Sequence, residues 1–281
     1  MKQYELKDRV VVITGSTGGL GHALAKALHA KGAKLALFDL NLDAATKQAA
    51  ELGPLNLARG WQVDVCSLED LESAFAAAAA HFGGVDVVVA NAGIGVLGPL
   101  AKLDPKLMER HTDVNLNGVW RTFRAALPHV RTRRGYMMAI SSMAAFVHNP
   151  LNGIYAATKA GVWALCDSVR VELRHLGVGV GSVHPTFFNT PMVDALLADP
   201  AGHKIFNGNT GLWKCIELEE VVAGVVKGIE RRSDMVVVPK HLTLIARMPG
   251  VFRRIIDAIG YSRGRVEESI RLSASSSDRG A

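Results

Sequence analysis

The chain has 281 residues, 49% of them hydrophobic, so it can bury a sizeable core and is not disordered as a whole. Its net charge is +6, and residues 240–281 hold eight Lys and Arg against four Asp and Glu. The preceding body is therefore only mildly basic and lacks the dense basic stripe of a nucleic-acid surface, so no nucleic-acid partner is expected.

Nothing in the sequence predicts export or membrane insertion. The start, MKQYELKDRVVVITG, lacks the apolar region and cleavage site of a secretory signal, and no run reaches the roughly 18 apolar residues of a membrane span. The cysteines Cys66, Cys166 and Cys215 are predicted to be buried thiols in a reducing compartment. The ten histidines form no metal-binding cluster and are predicted for surface or turn positions. We expect a cytoplasmic protein without a metal site.

Short Val-rich runs alternate with helix-like segments along the first 238 residues. Predicted strands are Val10–Thr14, Lys34–Asp39, residues 57–64, 85–90, 136–141 and 178–184, and Met235–Val238. Such runs, bounded by Gly, Asp or Pro, are typical of strands buried on both faces. Alternation with helices predicts a single-domain, doubly wound α/β fold of Rossmann type, with a parallel sheet of about seven strands.

Two helices have clear terminal signals. Ser67, followed by Asp70 three residues later, predicts a capped start to an Ala-rich helix. Residues 155–176 contain no proline and precede Gly177, which predicts a long helix with a glycine at its end.

A glycine-rich turn, TGSTGGLG, lies between the first strand and the helix predicted at residues 20–31. Glycine lets the main chain approach a ligand closely, and the N-terminus of a helix attracts phosphate. Two spacings fit, one through Gly15, Gly19 and Gly21, the other with Gly18 in place of Gly19. The turn predicts a pyrophosphate site, and a tight turn without a ligand is the alternative.

Asp39 ends the second strand, 18 residues after Gly21. A carboxylate there can accept hydrogen bonds from ribose hydroxyls and would repel the extra phosphate of NADP. Leu40 follows it, and no Arg or Lys lies between Gly15 and Gly21. These features predict NAD, and the alternative is an Asp that only caps a helix.

Tyr155 and Lys159 lie four residues apart on a predicted helix, so they share one face. A phenol with a pKa of about 10 is a poor base, and a nearby ammonium lowers that pKa. Ser142 ends the fifth strand at the edge where parallel sheets bind ligands, and its hydroxyl can donate to a developing oxyanion. Ser141 is the competing candidate, but strand alternation points the two hydroxyls to opposite sides.

Further motifs in the expected order complete a resemblance. Together with the glycine turn, Ser142, Tyr155 and Lys159, the sequence has Asp64-Val65, Asn91-Ala92-Gly93 and Asn115. Over residues 8–240 it resembles the short-chain dehydrogenase/reductase family, in the common oxidoreductase branch with TGxxxGxG and YxxxK motifs. The resemblance implies Tyr155 as general acid/base, with Ser142, Lys159 and Asn115 as its catalytic partners.

The resemblance also implies a set of cofactor-binding positions. These are Gly15, Ser16, Thr17, Gly19, Leu20, Gly21, Asp39, Asp64, Val65, Asn91, Ala92, Gly93, Tyr155, Lys159, Pro185 and Thr190. Where the family has glycine after the proline, this chain has Thr186, which can alter that turn.

The implied activity is interconversion of an alcohol and its carbonyl compound with NAD. Apolar residues in a predicted substrate lid at 187–215 favour a hydrophobic secondary alcohol or ketone, such as a steroid, retinoid or lipid-like carbonyl. Their alternative role is ordinary core packing. Other candidates are a reductase of acyl-thioester or quinone carbonyls and a non-catalytic dinucleotide-binding regulatory protein. The resemblance further implies a homodimer or homotetramer.

Residues 1–240 are predicted to be the catalytic domain, and residues 241–281 to be an apolar-basic segment with a disordered tail at 273–281. The stretch LTLIARMPGVFRRIIDAIG mixes aliphatic residues with Arg247, Arg253 and Arg254. This composition fits peripheral contact with an anionic membrane. Packing over the substrate cleft or on a neighbouring subunit is the alternative, and Pro249-Gly250 interrupts any single long helix.

Overall fold

The computed structural model describes residues 4–277, with backbone only for 274–277, and has one parallel sheet within that range. Its strands are β1 Val10–Thr14, β2 Lys34–Asp39, β3 Ala58–Gln62, β4 Val87–Ala90, β5 Tyr136–Ile140, β6 Gly179–Pro185 and β7 Met235–Val238. The order is β3-β2-β1-β4-β5-β6-β7, and every neighbouring pair is parallel. The predicted fold is confirmed, and the predicted strand bounds agree within two residues.

Helices connect and cover the strands. They are α1 Gly19–Ala30, α2 Leu42–Leu52, α3 Leu68–Phe82, α4 Pro105–Thr112, α5 Gly118–Thr132, α6 Gly153–Leu173, α7 Pro191–Ala198, α8 Pro200–Ile205, α9 Leu218–Arg231, α10 Thr243–Arg247, α11 Pro249–Gly260 and α12 Arg263–Ser277. The Ser67 hydroxyl caps α3 by accepting from the Asp70 N–H at 3.1 Å, as predicted. Gly177, at φ 71°, ends the turn that follows α6.

The strands are buried on both faces because their side chains alternate between two hydrophobic cores. Val11 and Ile13 of β1 contribute to the core beneath α1 and α9. Val12 contributes to the opposite core, beneath α3, α5 and α6. Each fully buried aliphatic side chain contributes about 1.5–3 kcal/mol, so two such cores favour this arrangement strongly.

The strand order reverses at β1, which lies between β2 and β4. In such a sheet the connections after the two central strands run to opposite sides and leave a crevice at their carboxyl ends. The glycine turn after β1 and Asn91 after β4 both lie at this crevice.

The segment predicted as a lid, residues 187–215, contains the two short helices α7 and α8. Thr190 and Asp199 cap α7 and α8, and each is followed by a proline in the first turn. Proline suits that position because its missing N–H would have no partner within the helix. Ile205, Phe206 and Trp213 form a small buried core of their own, so part of the segment packs rather than opens.

The C-terminal segment packs partly on the lid. The ammonium of Lys204 on α8 lies 2.6 Å from the carboxylate of Glu268 on α12, and Val266 contacts the lid core. The break predicted at Pro249 separates α10 from α11. Helix α12 continues to Ser277, where disorder was predicted, and residues 278–281 lie outside the described part of the chain. Between residues 4 and 277, no helix is long and apolar enough to cross a bilayer.

Candidate active site

The turn between β1 and α1 depends on two glycines. Gly15 has φ +61°, and a Cβ atom there would lie 2.8 Å from the Cα of Ala92. At Gly21 a Cβ would lie 2.3 Å from the Gly15 carbonyl oxygen. A Cβ at Gly19 would meet the Thr190 methyl at 3.2 Å, whereas at Gly18 the nearest atom would be 3.5 Å away. The turn therefore has no room for side chains at 15 and 21, and position 18 is the least restricted.

Asn91 holds this turn against the end of β4. Its side-chain amide donates to the carbonyls of Thr14 and Gly15 at 3.1 and 2.9 Å. The Thr14 hydroxyl accepts from the N–H groups of Asn91 and Ala92 at 3.0 and 3.2 Å, a contact that the sequence analysis missed. The first N–H groups of α1 have no partners within the helix and can receive a pyrophosphate, so this glycine cradle fits a dinucleotide.

Asp39 reaches the same turn from the end of β2. One of its oxygens accepts from both the N–H and the hydroxyl of Thr17, at 2.9 and 2.8 Å, and the other accepts from the Asn41 N–H at 3.2 Å. A carboxylate has about four acceptor positions, so capacity for ribose hydroxyls remains. The contact also keeps a negative charge beside the cradle.

Ser16 lies beneath the glycine turn. It is fully buried, its N–H donates to the Phe38 carbonyl, and its own carbonyl accepts from Gln48. Its hydroxyl is buried without a hydrogen-bond partner among the described residues, and the contact of Ser16 with a cofactor stays a prediction. Leu20 is also buried, so only its backbone is available to a ligand.

Asp64 and Val65 follow β3 on the far side of β2. The Asp64 carboxylate accepts from the Cys66 N–H at 2.8 Å and so stabilises its own turn. Val65 is nearly buried, and its side chain would meet a Cβ at Gly118 at 3.0 Å. Cys66 is half-buried rather than buried, as is Cys215, so the prediction of three buried thiols holds for Cys166 alone.

Ser142 and Tyr155 come together at the carboxyl edge of the sheet. The Ser142 side chain lies near enough to the Tyr155 hydroxyl to lower the pKa of that group, and its own hydroxyl accepts from the Ala144 N–H at 3.1 Å. Ser141 points the other way, where its hydroxyl donates to the Lys159 carbonyl at 2.8 Å. The alternation used to choose Ser142 over Ser141 is therefore present in the structure.

Lys159 lies one turn from Tyr155 on α6 and is buried. Its Nζ lies 5.5 Å from the centre of the Tyr155 ring and donates to the Ile140 carbonyl at 2.9 Å. Burial lowers the pKa of Lys159 to about 8. Burial also raises the pKa of Tyr155, and the effect that opposes it is the Ser142 hydrogen bond rather than the ammonium predicted for that role.

Asn115 lies in a π-helical turn, Asp113–Asn117, that joins α4 to α5. Its fully buried amide pairs with the backbone of Ile94, donating to the carbonyl at 2.9 Å and accepting from the N–H at 2.8 Å. A Cβ at Gly93 would lie 3.3 Å from the Asn115 oxygen and 3.6 Å from Lys159 Nζ. The end of β4, Asn115 and Lys159 thus meet, and wide turns of this kind are frequent at functional sites.

Pro185 and Thr190 border the crevice from the end of β6. The Pro185 carbonyl is 3.5 Å from the Ser142 hydroxyl, and the N–H of Thr186 donates to the Val238 carbonyl at 2.9 Å. Thr190 caps α7 and touches the glycine turn through Gly19. The lid therefore begins in contact with the candidate cofactor site.

His184 is a residue of the site that sequence reasoning placed wrongly. It is fully buried, with Nε2 2.8 Å from the Ser182 hydroxyl and Nδ1 3.3 Å from the Ser142 carbonyl. A carbonyl only accepts, so this network assigns the proton to Nδ1 and a neutral ring. Burial lowers the pKa of His184 to about 4, and Lys159 adds to the effect. A surface or turn position was predicted although the predicted strand at 178–184 ends at this residue, because the sequence does not show that β6 continues to Pro185 and that Phe146 packs against the ring.

His184 should make the fold sensitive to acid. Its pKa lies below the unfolded value, so the unfolded chain binds more protons between pH 6.5 and about 4, and stability falls as the pH falls through that range. We expect a loss of about 2 kcal/mol from this group between pH 7 and pH 5. Urea unfolding at both pH values measures it. His184→Asn should lose that part of the pH dependence, whereas the same change at exposed His148 should keep it; equal pH dependence of both variants would contradict the assignment.

Comparison with known proteins agrees with this geometry. The family model described as short chain dehydrogenase matches residues 9–201. Mouse dehydrogenase/reductase SDR family member 7B is 31% identical over 284 aligned positions, covering 95% of this chain and 85% of that protein. The 3beta-hydroxysteroid dehydrogenase 1 of Eggerthella lenta is 34% identical over 200 positions, covering 70% and 77%.

Solved structures show the same fold. The crystal structure of gox2181 superposes with a TM-score of 0.75 at 25% identity, covering 83% of this chain and 95% of that one. A 3-ketoacyl-(acyl-carrier-protein) reductase from Brucella melitensis also gives 0.75, at 24% identity, covering 83% and 97%. The sheet order, the glycine turn and the Ser142–Tyr155–Lys159 cluster agree with the family match, and the chain belongs to the short-chain dehydrogenase/reductase family of oxidoreductases.

Proposed function

We propose that this oxidoreductase interconverts a hydrophobic secondary alcohol and its ketone with NAD(H). The observation that carries the proposal is the grouping of Tyr155, Ser142 and Lys159, with Lys159 Nζ 5.5 Å from the centre of the Tyr155 ring and Ser142 near enough to lower the pKa of Tyr155. This cluster lies at the carboxyl edge of the sheet, where Gly93 brings the end of β4 against Lys159. Ligands in doubly wound sheets bind at that edge.

The proposed chemistry assigns one task to each side chain. The bound nicotinamide ring would supply or accept the hydride. In oxidation the phenolate form of Tyr155 accepts the alcohol proton and becomes the hydroxyl, and in reduction that hydroxyl donates its proton to the carbonyl oxygen. Ser142 donates a hydrogen bond to the same oxygen, which stabilises its developing charge. The Lys159 ammonium adds positive charge near the phenol ring, and burial makes that charge more effective than it would be in water.

Asn115 has a supporting part in this proposal. Its amide makes two hydrogen bonds to the Ile94 backbone, so it holds the loop after β4, and one N–H and one acceptor position of the amide remain. The resemblance assigns it to a proton relay through water. The wide turn that contains Asn115 leaves irregular backbone beside Lys159, which is where such a water would need to bind.

The substrate class rests on the lid and on one relative. Met192 is exposed and touches the loop after β4 near Gly95, while Leu196 and Leu197 are half-buried at the edge of the lid core. Phe206 and Trp213 pack inside that core and are not available to a substrate. The relative from Eggerthella lenta is named for activity on 3beta-hydroxysteroids, which are hydrophobic secondary alcohols.

A panel of alcohols tests the proposal. With NAD present, hydrophobic secondary alcohols such as steroids, retinoids and medium-chain alkanols should give an increase in NADH absorbance. Reduction of acyl-thioesters or quinones without oxidation of any alcohol would favour the alternative carbonyl reductase. Tight NADH binding without turnover on any of these compounds would favour a regulatory protein.

Asp39 should set the preference for NAD. Its charge lies beside the cradle, so we expect NADH to bind at least about tenfold more tightly than NADPH, because the extra phosphate would approach a carboxylate. Asp39→Asn retains an acceptor for Thr17 and removes the charge, and should reduce that preference by a similar factor. Fluorescence titration with both cofactors measures it, with Asp43→Asn on the exposed face of α2 as the control. Tighter binding of NADPH by the unmodified protein would overturn the assignment.

The wider organisation follows from the same proposal. Residues 1–240 would form the catalytic domain with the lid at 187–215, and the segment after residue 240 would cover the lid through α12. Homo-oligomerisation through the helices that carry Asn115 and Tyr155, and a cytoplasmic location, stay predictions from the sequence.

A further inference from the structure

Helix α11 and the end of α10 present an apolar stripe to solvent. Leu244, Met248, Val251, Ile255 and Ile259 are 47–67% exposed, and they are five of the sixteen exposed large hydrophobic side chains of the described residues. Their concentration in sixteen consecutive positions sets this surface apart from the scattered exposed leucines elsewhere. We call these five residues the apolar stripe.

The stripe follows the geometry of a helix. Positions 251, 255 and 259 are four residues apart and lie along one face of α11, and Met248 directly precedes the helix. Phe252 and Ile256 are half-buried on the inner side, and Gly260 approaches the Trp213 ring. The helix is thus attached to the protein along one side and leaves its aliphatic side chains uncovered on the other.

Cations border the stripe. Positions 240–259 contain four exposed cations and one exposed anion. The cations are Lys240, Arg247, Arg253 and Arg254, and the anion is Asp257. An apolar face flanked by basic residues matches the surface of an anionic bilayer, where aliphatic side chains enter the acyl region and Arg reaches the headgroups. A second copy fits less well, because a two-fold contact through the stripe would bring the same arginines near one another.

We propose that α11 is a peripheral membrane-binding element that docks the protein on anionic lipid. The docked helix would adjoin the lid. Tyr261, the residue after α11, stacks on Trp213 at 5.1 Å between ring centres, and its hydroxyl donates to the Asn149 side chain near the catalytic edge. If the proposed function also holds, this places the mouth of the substrate cleft close to a lipid phase that dissolves its substrate.

Vesicle binding tests the docking without reference to activity. The full chain is sedimented with vesicles of phosphatidylcholine, alone or with about 30% phosphatidylglycerol. We expect binding to the anionic vesicles that weakens with added salt. Val251→Ser with Ile255→Ser should weaken it about a hundredfold, because burial of each exposed aliphatic group contributes about a factor of ten.

Matched variants separate the stripe from general hydrophobicity. Leu55→Ser with Leu100→Ser removes two side chains outside the segment that are more exposed than Val251 and Ile255, and should leave binding unchanged. Val251→Leu with Ile255→Leu keeps both positions apolar and should retain vesicle binding. A loss in the serine pair alone is then due to the polar side chains rather than to substitution at these positions. Arg253→Gln with Arg254→Gln should weaken binding to anionic vesicles about tenfold and should remove most of the salt dependence.

Three results would overturn the proposal. One is a wild-type protein that stays in the supernatant with anionic vesicles. Another is a serine pair at 251 and 255 that binds as wild type does. The third is a serine pair that lowers the assembly mass in sedimentation equilibrium without changing vesicle binding, which would assign the stripe to a second copy. Loss of alcohol oxidation with vesicle binding intact would instead count against the proposed function alone.

Discussion

Tyr155→Phe should reduce turnover by about 10²–10⁴-fold while leaving the affinity for NADH nearly unchanged. The substitution removes one hydroxyl from a half-buried ring and leaves the glycine turn, Asp39 and Lys159 in place. Substrate then has no group at the correct position to exchange its hydroxyl proton. Steady-state kinetics on the best alcohol of the panel, together with NADH titration, measures the two quantities separately.

Tyr4→Phe is the matched control. The Tyr4 hydroxyl is buried without a hydrogen-bond partner among the described residues, and its ring lies beside Arg9 and Arg232, away from the catalytic edge. Its loss should change neither turnover nor cofactor affinity. If Tyr155→Phe retained more than about a tenth of wild-type turnover, the general acid/base assignment would be wrong.

Gly21→Ala should damage both the fold and cofactor binding. The added methyl would lie 2.3 Å from the Gly15 carbonyl oxygen and 2.9 Å from the Asn91 amide nitrogen, the two atoms that hydrogen-bond to each other. The backbone of the turn must shift, because the nearest atom is a main-chain oxygen and the Ser16 Cα would also lie 2.9 Å from the added methyl. We expect the thermal midpoint to fall by about 5 °C and NADH affinity to fall at least about tenfold.

Gly18→Ala provides the comparison for this prediction. Gly18 has φ −67°, a value that alanine adopts freely, and its Cβ would be in ordinary contact at 3.5 Å. The variant should keep both the thermal midpoint and NADH affinity close to wild type. If the two variants lost stability and NADH affinity equally, the prediction that only position 21 is too closely approached for a side chain would be wrong.

Strand positions could be predicted because each strand is short, apolar and buried on both faces. Val10–Thr14 and Met235–Val238 match the structure to the residue, and the periodicity of side chains explains why Ser142 rather than Ser141 faces Tyr155. Tyr155 and Lys159 were also predictable as a pair, since a helical spacing of four residues requires no tertiary information.

The sequence could not show the surroundings of residues at which several elements meet. Ser16 belongs to the glycine turn, and its burial depends on Phe38 and Gln48 from neighbouring elements. In the segment predicted as a lid, Thr190-Pro191 and Asp199-Pro200 begin helices. The contact of this segment with α12 comes from a distant part of the chain and could not be predicted from the local pattern.

By itself the sequence determined the sheet, the family and the order of the catalytic motifs, because these depend on local periodicity and short spacings. Tertiary structure alone decided that His184 is buried behind Ser142, that burial rather than the ammonium dominates the pKa of Tyr155, and that the apolar stripe of α11 faces solvent. Burial and electrostatic environment are properties of everything that surrounds a side chain, and those surroundings come from segments far apart in the chain.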